Sequence, residues 1–265
     1  MSNKALKKVG LFFQYFFQSI FTYSYNQERY PDTFLSSSPK VTKTNLLPFP
    51  RVIYVFWTGD NKMSENRLEG VNSLIEKSGV EVKVITPQNL NSYILKDYPL
   101  HPAYDYLSLV HKSDYLRCYF MFHYGGGYAD VKKYAKSWVP AFDQLQNSNK
   151  WLVGYREIKS KALAQVGGQI GTDMKRHFLF IIGNCAYICR PHSPLTQDWY
   201  QELHKRMDKY QPALTQNPGN ILGDNEGYPI PWTNILGDIF HPLCLKYMDK
   251  LYFSDRIKPI FTNYR

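Results

Sequence analysis

The residues best suited to chemistry are two carboxylates and a guanidinium group, Asp114, Asp130 and Arg117, all within the stretch 107–138. The sequence predicts a helix over about 107–124, and a spacing of three residues puts Asp114 and Arg117 on one face of it. Apolar residues occur all round this helix, which predicts that it is buried. Charges are rarely buried without a partner or a ligand. The pair is therefore either a satisfied ion pair or part of a binding site.

Three consecutive glycines, Gly125, Gly126 and Gly127, separate this helix from a predicted strand over 128–131. Glycine has no Cβ, so the backbone can turn sharply here and approach a bound group closely. Asp130 stands at the carboxyl end of the strand, the edge at which open α/β sheets bind ligands. The sequence therefore predicts one cleft that contains all three charged residues.

The combined pattern resembles a known family. Residues 113–117 read S-D-Y-L-R and residues 125–132 read G-G-G-Y-A-D-V-K, an order and spacing similar to those of the DXD-type glycosyltransferases of the GT-A fold. The chain is most similar to the family 32-like group, which contains capsular and lipopolysaccharide sugar transferases, and is distantly similar to the glucosylating toxins. A first strand that ends in Trp57-Thr58-Gly59 also resembles the opening of these enzymes.

The resemblance implies both a fold and an activity. The fold is a single α/β domain of the GT-A type, in which helices flank a Rossmann-like sheet, with an N-terminal helical extension. The activity is transfer of a hexosyl or pentosyl group from a nucleotide-sugar donor to a glycan or lipid-linked acceptor, as in polysaccharide biosynthesis. A non-catalytic relative that binds a nucleotide sugar or a glycan is the alternative.

The resemblance also implies which residues hold the substrates. Asp114 would accept hydrogen bonds from sugar hydroxyls, Arg117 would donate to sugar or phosphate oxygens, and Asp130 would accept from the ribose or the donor sugar. The implied donor-binding set is Trp57, Thr58, Asp114, Arg117, Gly126, Gly127, Tyr128 and Asp130. The acceptor side is predicted to contain Asn184, Asp224 and Trp232.

One position departs from the family pattern. The second acidic residue of the motif, which in the family holds a divalent metal, is Lys132 here, and Lys133 follows it. An ammonium group cannot coordinate Mn²⁺ or Mg²⁺, but it can take the ion's place and neutralise the leaving diphosphate. The favoured prediction has Asp130 and Lys132 as the catalytic residues and requires no cofactor. In the alternative, Lys132 points to solvent and Asp130, with another carboxylate such as Asp224, holds Mn²⁺ or Mg²⁺.

The net charge of +10 predicts an anionic partner, which could be a nucleotide diphosphate, an anionic membrane surface or a nucleic acid. The sequence has no helix-turn-helix, zinc or RNP signature, so a nucleic acid is not expected. The four cysteines are sparse and no N-x-S/T sequon occurs, which favours free thiols in a reducing, cytoplasmic compartment.

The first fifty residues are predicted to be an extension, and residues 51–265 the glycosyltransferase domain. Three lysines precede an aromatic run over 9–25, which is too short and too polar for a confident spanning helix. It predicts either a helix that lies in the membrane interface, giving peripheral membrane association, or a helix packed on the domain. Residues 26–50 are predicted to be a linker or an extended cover.

The remaining pattern alternates strands and helices. Strands are predicted over 51–57, 80–86, 151–155 and 178–189, the last with a break at 183–184. Helices are predicted over 64–78, 89–98 and 193–209, with another opening at 232–241, and a flexible loop over 159–172. A strand, helix and strand in succession with short connections are typical of a Rossmann-like half-domain.

Overall fold

One six-stranded sheet organises the chain. The computed structural model describes residues 23–31, 33–36 and 46–263. The strands are β1 (Val52–Phe56), β2 (Glu81–Ile85), β3 (Gly126–Ala129), β4 (Leu152–Arg156), β5 (Ile182–Cys189) and β6 (Leu251–Phe253). Their spatial order is β2-β1-β3-β5-β4-β6. β1 pairs with β2 and β3 in parallel, β5 is antiparallel to β3 and β4, and β6 is parallel to β4.

Six α-helices accompany the sheet within the described residues. They are α1 (Glu65–Ser78), α2 (Leu109–His123), α3 (Val139–Gln146), α4 (Gly168–Arg176), α5 (Pro194–Gln216) and α6 (Gly237–Lys246). The predicted strand–helix–strand unit is confirmed as β1, α1 and β2, and all five residues of β1 are buried. α5 runs seven residues further than predicted, through Pro212 to Gln216, where Leu214 is buried.

The sheet has a packed layer on each face. The layer that contains α2 includes Tyr115, Phe120 and Phe240, whereas the layer that contains α3 includes Val55 and Trp138. The predicted α/β class, a sheet flanked by helices, is therefore confirmed. The prediction of a buried α2 is also correct, because nine of its residues are buried, among them Asp114.

Three predicted elements are wrong. The strand predicted over 178–189 begins only at Ile182, after the 3₁₀ turn Phe178–Phe180, and it runs through residues 183–184 without the predicted break. The helix predicted over 89–98 is only a 3₁₀ turn, Leu90–Tyr93, because the amide of Leu95 donates to the hydroxyl of Tyr119 at 2.9 Å instead of continuing a helix. The loop predicted over 159–172 contains the start of α4. This helix forms because Ile170 and Met174 are buried in the core.

The described part of the N-terminal extension packs on the domain as a cover. Tyr23, Tyr30 and Leu35 are buried in the larger core layer. The hydroxyl of Tyr30 and the guanidinium of Arg29 both donate to Asp173 of α4, at 2.8 Å each. Most of the predicted interfacial run, residues 9–22, lies outside the described residues. Within the described residues, no helix is both long enough and apolar enough to cross a membrane.

Candidate active site

Helix α2 carries the first two charged residues of the site. Ser108 caps its N-terminus by accepting from the amide of His111 at 3.2 Å, which fixes where the helix begins. Asp114 and Arg117 then fall on one face, with 3.3 Å between Oδ1 of Asp114 and Nη2 of Arg117. Asp114 is only 4% exposed, so this charge pair lies inside the protein.

Strand β3 brings Asp130 to the same place. It ends at Ala129, and the amide of Asp130 donates to the carbonyl of Cys185 at 2.8 Å. Oδ1 of Asp130 lies 3.4 Å from Nη2 of Arg117 and accepts from the hydroxyl of Tyr128 at 2.6 Å. The guanidinium of Arg117 also lies over the Tyr128 ring, 4.5 Å from its centre. The structure thus brings Asp114, Arg117, Tyr128 and Asp130 together, as the sequence predicts.

Lys132 belongs to this cluster and does not point to solvent. Only 7% of the residue is exposed, and its ammonium group donates to Oδ2 of Asp130. It also lies 3.7 Å from the sulfur of Cys185. Lys133 instead forms an ion pair with Glu69 of α1, so the next lysine along the chain is engaged elsewhere.

The two carboxylates have pKa values shifted in opposite directions. Burial alone would raise the pKa of Asp130, but the charges of Lys132 and Arg117 outweigh it and hold that pKa well below its usual range. Burial raises the pKa of Asp114, and Arg117 opposes this rise only in part. Burial disfavours the ammonium form of Lys132, but Asp130 outweighs this and raises the pKa of Lys132. At neutral pH Asp130 and Lys132 are therefore an ionised pair.

A divalent cation does not fit this set of donors. Mn²⁺ and Mg²⁺ need several oxygen ligands in near-octahedral geometry. Both oxygens of Asp130 already have partners, Tyr128 and Arg117 on one and Lys132 on the other. Across the described ranges, no group of three or more His, Cys, Asp or Glu residues could hold a metal.

The three glycines have structural reasons to be glycine. Gly125 and Gly126 have φ values of 66° and 85°, which side chains rarely adopt. A Cβ at Gly126 would lie 2.9 Å from the carbonyl oxygen of Val52, and one at Gly127 would lie 3.1 Å from the Ile53 side chain. The glycines therefore let β3 lie against β1, which brings Asp130 to the site. Their predicted contact with the donor stays a prediction.

Trp57 and Thr58 follow β1 and line a neighbouring pocket. This pocket has a volume of about 190 Å³ and also contains residues that follow β2 and residues of α2. The hydroxyl of Thr58 donates to the carbonyl of Leu109 at 2.6 Å, and the indole of Trp57 donates to the carbonyl of Asn61 at 2.7 Å. The pocket therefore lies at the carboxyl edge of the parallel strands, where ligands are expected.

The three predicted acceptor residues have different surroundings. Asn184 joins the charged cluster, since its carbonyl accepts from Nη1 of Arg117 at 3.1 Å. Trp232 is 60% exposed. Asp224 is exposed and accepts from the side chain of Asn220 at 2.7 Å. Asn184 is the predicted acceptor residue that contacts Arg117.

Two buried polar atoms of the cluster have no hydrogen-bond partner among the described residues. They are Nε of Arg117 and Oδ1 of Asn184. Buried polar groups without a partner are rare in folded proteins, because each carries a desolvation cost of about 1–3 kcal/mol. One is a donor and the other an acceptor, a combination that suits a ligand with hydroxyl groups.

Sequence reasoning missed two residues that order the surroundings of the cluster, His111 and Tyr228. Nδ1 of His111 accepts from the hydroxyl of Tyr228 at 2.8 Å, and Nε2 donates to the carbonyl of Trp232 at 3.3 Å. Both ring nitrogens are thus used, and burial lowers the pKa of His111, so the ring is neutral at pH 7. The sequence does contain a signal for His111. It lies three residues before Asp114, and this spacing puts both side chains on one helical face.

One family model and a solved structure resemble parts of this chain. Residues 42–150 match the family model described as "Glycosyltransferase sugar-binding region containing DXD motif". A solved structure described as "PaToxG Glycosyltransferase" resembles the chain with a TM-score of 0.41 and 14% sequence identity, over 75% of this chain and 70% of that chain. No curated protein matches the chain. The matched residues contain Asp114, Arg117, Asp130 and Lys132, and they support the prediction of a glycosyltransferase-type sugar-binding region.

Proposed function

We propose that this chain is a glycosyltransferase that moves a hexosyl or pentosyl group from a nucleotide-sugar donor to a glycan or lipid-linked acceptor. One observation carries the proposal. Arg117 contacts Asp114, Asp130 and the carbonyl of Asn184, and its Nε and the Oδ1 of Asn184 have no partner among the described residues. A sugar supplies hydroxyl groups that both accept and donate, which would satisfy both atoms.

Each charged residue has a role in donor binding that its surroundings support. Arg117 fixes Asp114 and Asp130, so a sugar or ribose hydroxyl that donates to either carboxylate would meet a side chain that is already ordered. Hydrogen bonds to a charged group contribute about 1.5–3 kcal/mol each. Trp57 and Thr58 line the neighbouring pocket and would face the nucleoside.

Departure of the nucleoside diphosphate creates negative charge that the site must stabilise. We assign this role to Lys132, with Arg117 beside it. A family site with two carboxylates and a divalent cation has no net charge, and the single Asp130–Lys132 pair has none either. The Asp130–Lys132 pair would thus have the same net charge as the family site, with one carboxylate fewer and without a bound ion. The reaction would therefore need no metal.

A second candidate is a non-catalytic protein that binds a nucleotide sugar. The observation that favours it is the engagement of both Asp130 oxygens by protein groups, which limits how freely this carboxylate can contact a donor. A donor-hydrolysis assay over a panel of nucleotide sugars, paired with calorimetry, separates the two. Turnover of a donor supports the enzyme, and binding without turnover supports the binding protein.

Asp130→Asn tests the site itself. It should abolish turnover and leave the fold intact, because it keeps the shape but loses the charge that Arg117 and Lys132 surround. Asp249→Asn is the matched control, since 72% of that side chain is exposed, and it should behave as the wild type. Full activity in Asp130→Asn would exclude this carboxylate from the reaction.

A further inference from the structure

A second cavity lies outside the charged cluster, between α5, the start of α6 and the N-terminal cover. Its volume is about 490 Å³, and we call it the α5–α6 cavity. Small-molecule sites commonly have volumes of about 300–1,000 Å³. The pocket beside Trp57, at about 190 Å³, is below this range, whereas the α5–α6 cavity is within it.

The cavity combines a fixed guanidinium with two carboxylates. Nε of Arg206 donates to Glu202 at 2.8 Å, and Nη1 donates to the carbonyl of Asn234 at 2.5 Å. Asp238, at the start of α6, accepts from the hydroxyl of Thr233 at 2.6 Å. The side chains of Arg206 and Glu202 are only 17% and 11% exposed, so they are held in place before any ligand binds.

Aromatic and apolar groups form the rest of the lining. The ring of Phe34 lies 5.7 Å from the guanidinium of Arg206, and Tyr210 lies on the same helix one turn further. Val166, Ile170 and Pro242 complete an apolar wall. A sugar ring has the matching chemistry, with hydroxyl groups around its edge and C–H groups on its faces.

The charges in the lining decide which class of ligand fits. A phosphate would gain from Arg206 and from the exposed Lys205 and Lys209, but Glu202 and Asp238 would repel it. A neutral polyhydroxyl ligand has no such penalty, because carboxylates accept from its hydroxyls while the guanidinium donates to them. Lys205 and Lys209 are exposed to solvent, which screens them, and the partly buried charges of the lining are Arg206, Glu202 and Asp238. These three have a net charge of −1, which favours a neutral sugar over an anion.

The start of α6 connects the cavity with the charged cluster. A Cβ on Gly237, the first residue of α6, would lie 3.3 Å from the side-chain nitrogen of Asn184, so the start of this helix packs against Asn184. The carbonyl of Asn184 accepts from Arg117, and Asp238, next to Gly237, lines the cavity. Neighbouring residues at the start of α6 thus contact Asn184 and line the cavity.

We propose that the α5–α6 cavity is a second binding site, which takes a neutral sugar residue of a glycan that extends from the acceptor end of the charged cluster. Recognition uses Glu202, Arg206 and Asp238 for the hydroxyl groups and Phe34 for a ring face. The identification of this glycan as the acceptor rests on the proposed function. The binding of a neutral sugar in the cavity is independent of the proposed function.

Saturation-transfer NMR and calorimetry on the full chain test the proposal, with neutral trisaccharides of glucose, galactose, mannose and N-acetylglucosamine as the probes. At least one should bind, and inorganic pyrophosphate should not displace it. Phe34→Leu, which keeps an apolar side chain, should weaken binding by about threefold to tenfold. Glu202→Gln, which removes the charge, should weaken it by about tenfold or more.

Tyr252→Leu and Glu76→Gln are the matched controls, since both residues are exposed and lie outside the cavity, and both should keep wild-type affinity. Thermal melting checks that each variant is folded, and Phe34→Leu still decides the matter if Glu202→Gln unfolds. Binding of none of the trisaccharides would overturn the proposal, as would equal affinity in Phe34→Leu or displacement by pyrophosphate.

Donor hydrolysis by the wild type, measured without a glycan, separates this proposal from the proposed function. Glycan binding at the cavity without donor turnover leaves the glycan site standing and removes the transferase. Donor turnover without glycan binding supports the transferase and excludes the glycan site. If both hold, Phe34→Leu should raise the KM for the oligosaccharide acceptor by the factor by which it weakens glycan binding.

Discussion

The ammonium group of Lys132 donates to Oδ2 of Asp130, two residues earlier in the chain, while Oδ1 of the same carboxylate accepts from Tyr128. The ammonium group of Lys132 is therefore paired with the carboxylate of Asp130. The pair has no net charge at neutral pH, and our proposal that the reaction needs no metal sets the first prediction.

Turnover should survive EDTA, because we propose that Lys132 neutralises the diphosphate from a fixed position. Lys132→Ala should lower the rate by about 10²–10³-fold, the usual contribution of one electrostatic stabiliser of a leaving group. The same donor-hydrolysis assay, run with and without chelator, measures both. Lys133→Ala is the matched control, since that lysine pairs with Glu69, and it should keep most of the activity.

Lys132→Asp carries the test further, because it would restore an acidic residue at the position that we propose Lys132 has taken in the motif. Rescue of this variant by Mn²⁺ would show that the other oxygen ligands of a metal site remain, whereas inactivity with and without metal would show that they do not. Wild-type activity that disappears in EDTA and returns with Mn²⁺ would exclude Lys132 as the replacement for the ion.

Gly125 should tolerate no side chain. Its φ is 66°, and a Cβ would lie 2.5 Å from the Pro191 ring and 2.8 Å from the carbonyl oxygen of Cys189. Gly125→Ala should lower the free energy of unfolding by about 2–5 kcal/mol, from the backbone strain and the overlap together. Urea denaturation measures this loss.

Gly168→Ala isolates the backbone part of that effect. Its φ is 69°, but no atom lies within 4 Å of the added Cβ, so the loss should be only about 1–2 kcal/mol. Equal losses at the two positions would mean that the contact with Pro191 and Cys189 contributes nothing to the requirement for glycine at Gly125.

Acid should destabilise the interface between α2 and α5. Burial lowers the pKa of His123 and of His204 to about 4, and neighbouring histidines contribute to both shifts. The unfolded histidine has a pKa of about 6.5, so between pH 6.5 and 4 the unfolded state binds more protons. The free energy of unfolding should therefore fall as the pH falls, by about 1.4 kcal/mol per pH unit for each histidine.

His123→Phe tests this at one ring. The His123 ring packs 4.4 Å from Tyr119 and 5.1 Å from Tyr200, and neither of its nitrogens has a hydrogen-bond partner within the described part of the chain, so phenylalanine should replace it without a lost bond. The variant should show a slope smaller by about 1.4 kcal/mol per pH unit between pH 6.5 and 4. An unchanged slope in denaturation curves over this range would refute the assignment.

The aromatic run at the N-terminus should bind anionic membranes. Deleting residues 1–22 should release the protein from anionic vesicles and leave donor hydrolysis intact, which vesicle sedimentation and the hydrolysis assay measure. The cut belongs before Tyr23, because that side chain is buried and its hydroxyl lies 2.7 Å from that of Tyr30. Deleting residues 1–25 should therefore also lower the melting temperature. Equal vesicle binding by the full chain and the 1–22 deletion would contradict the interfacial helix.

The sequence by itself determined the parts of the site that depend on local periodicity. The spacing of Asp114 and Arg117 places them on one helical face wherever the helix packs. Asp130 directly after a strand is at that strand's carboxyl end, and the glycines before it show where the backbone must turn. The α/β class followed from the same periodicity, because alternating strands and helices have few ways to bury their apolar faces.

Only the tertiary structure decided which distant groups meet. Lys132 could have pointed to solvent, but the packing of β3 against β5 puts it beside Asp130 and Cys185. The segment predicted as a loop contains the start of α4, a helix whose Asp173 is held by Arg29, 144 residues earlier in the sequence. Periodicity within a segment contains no information about such partners. Burial and hydrogen bonding to the rest of the chain therefore decide these elements and the position of Lys132.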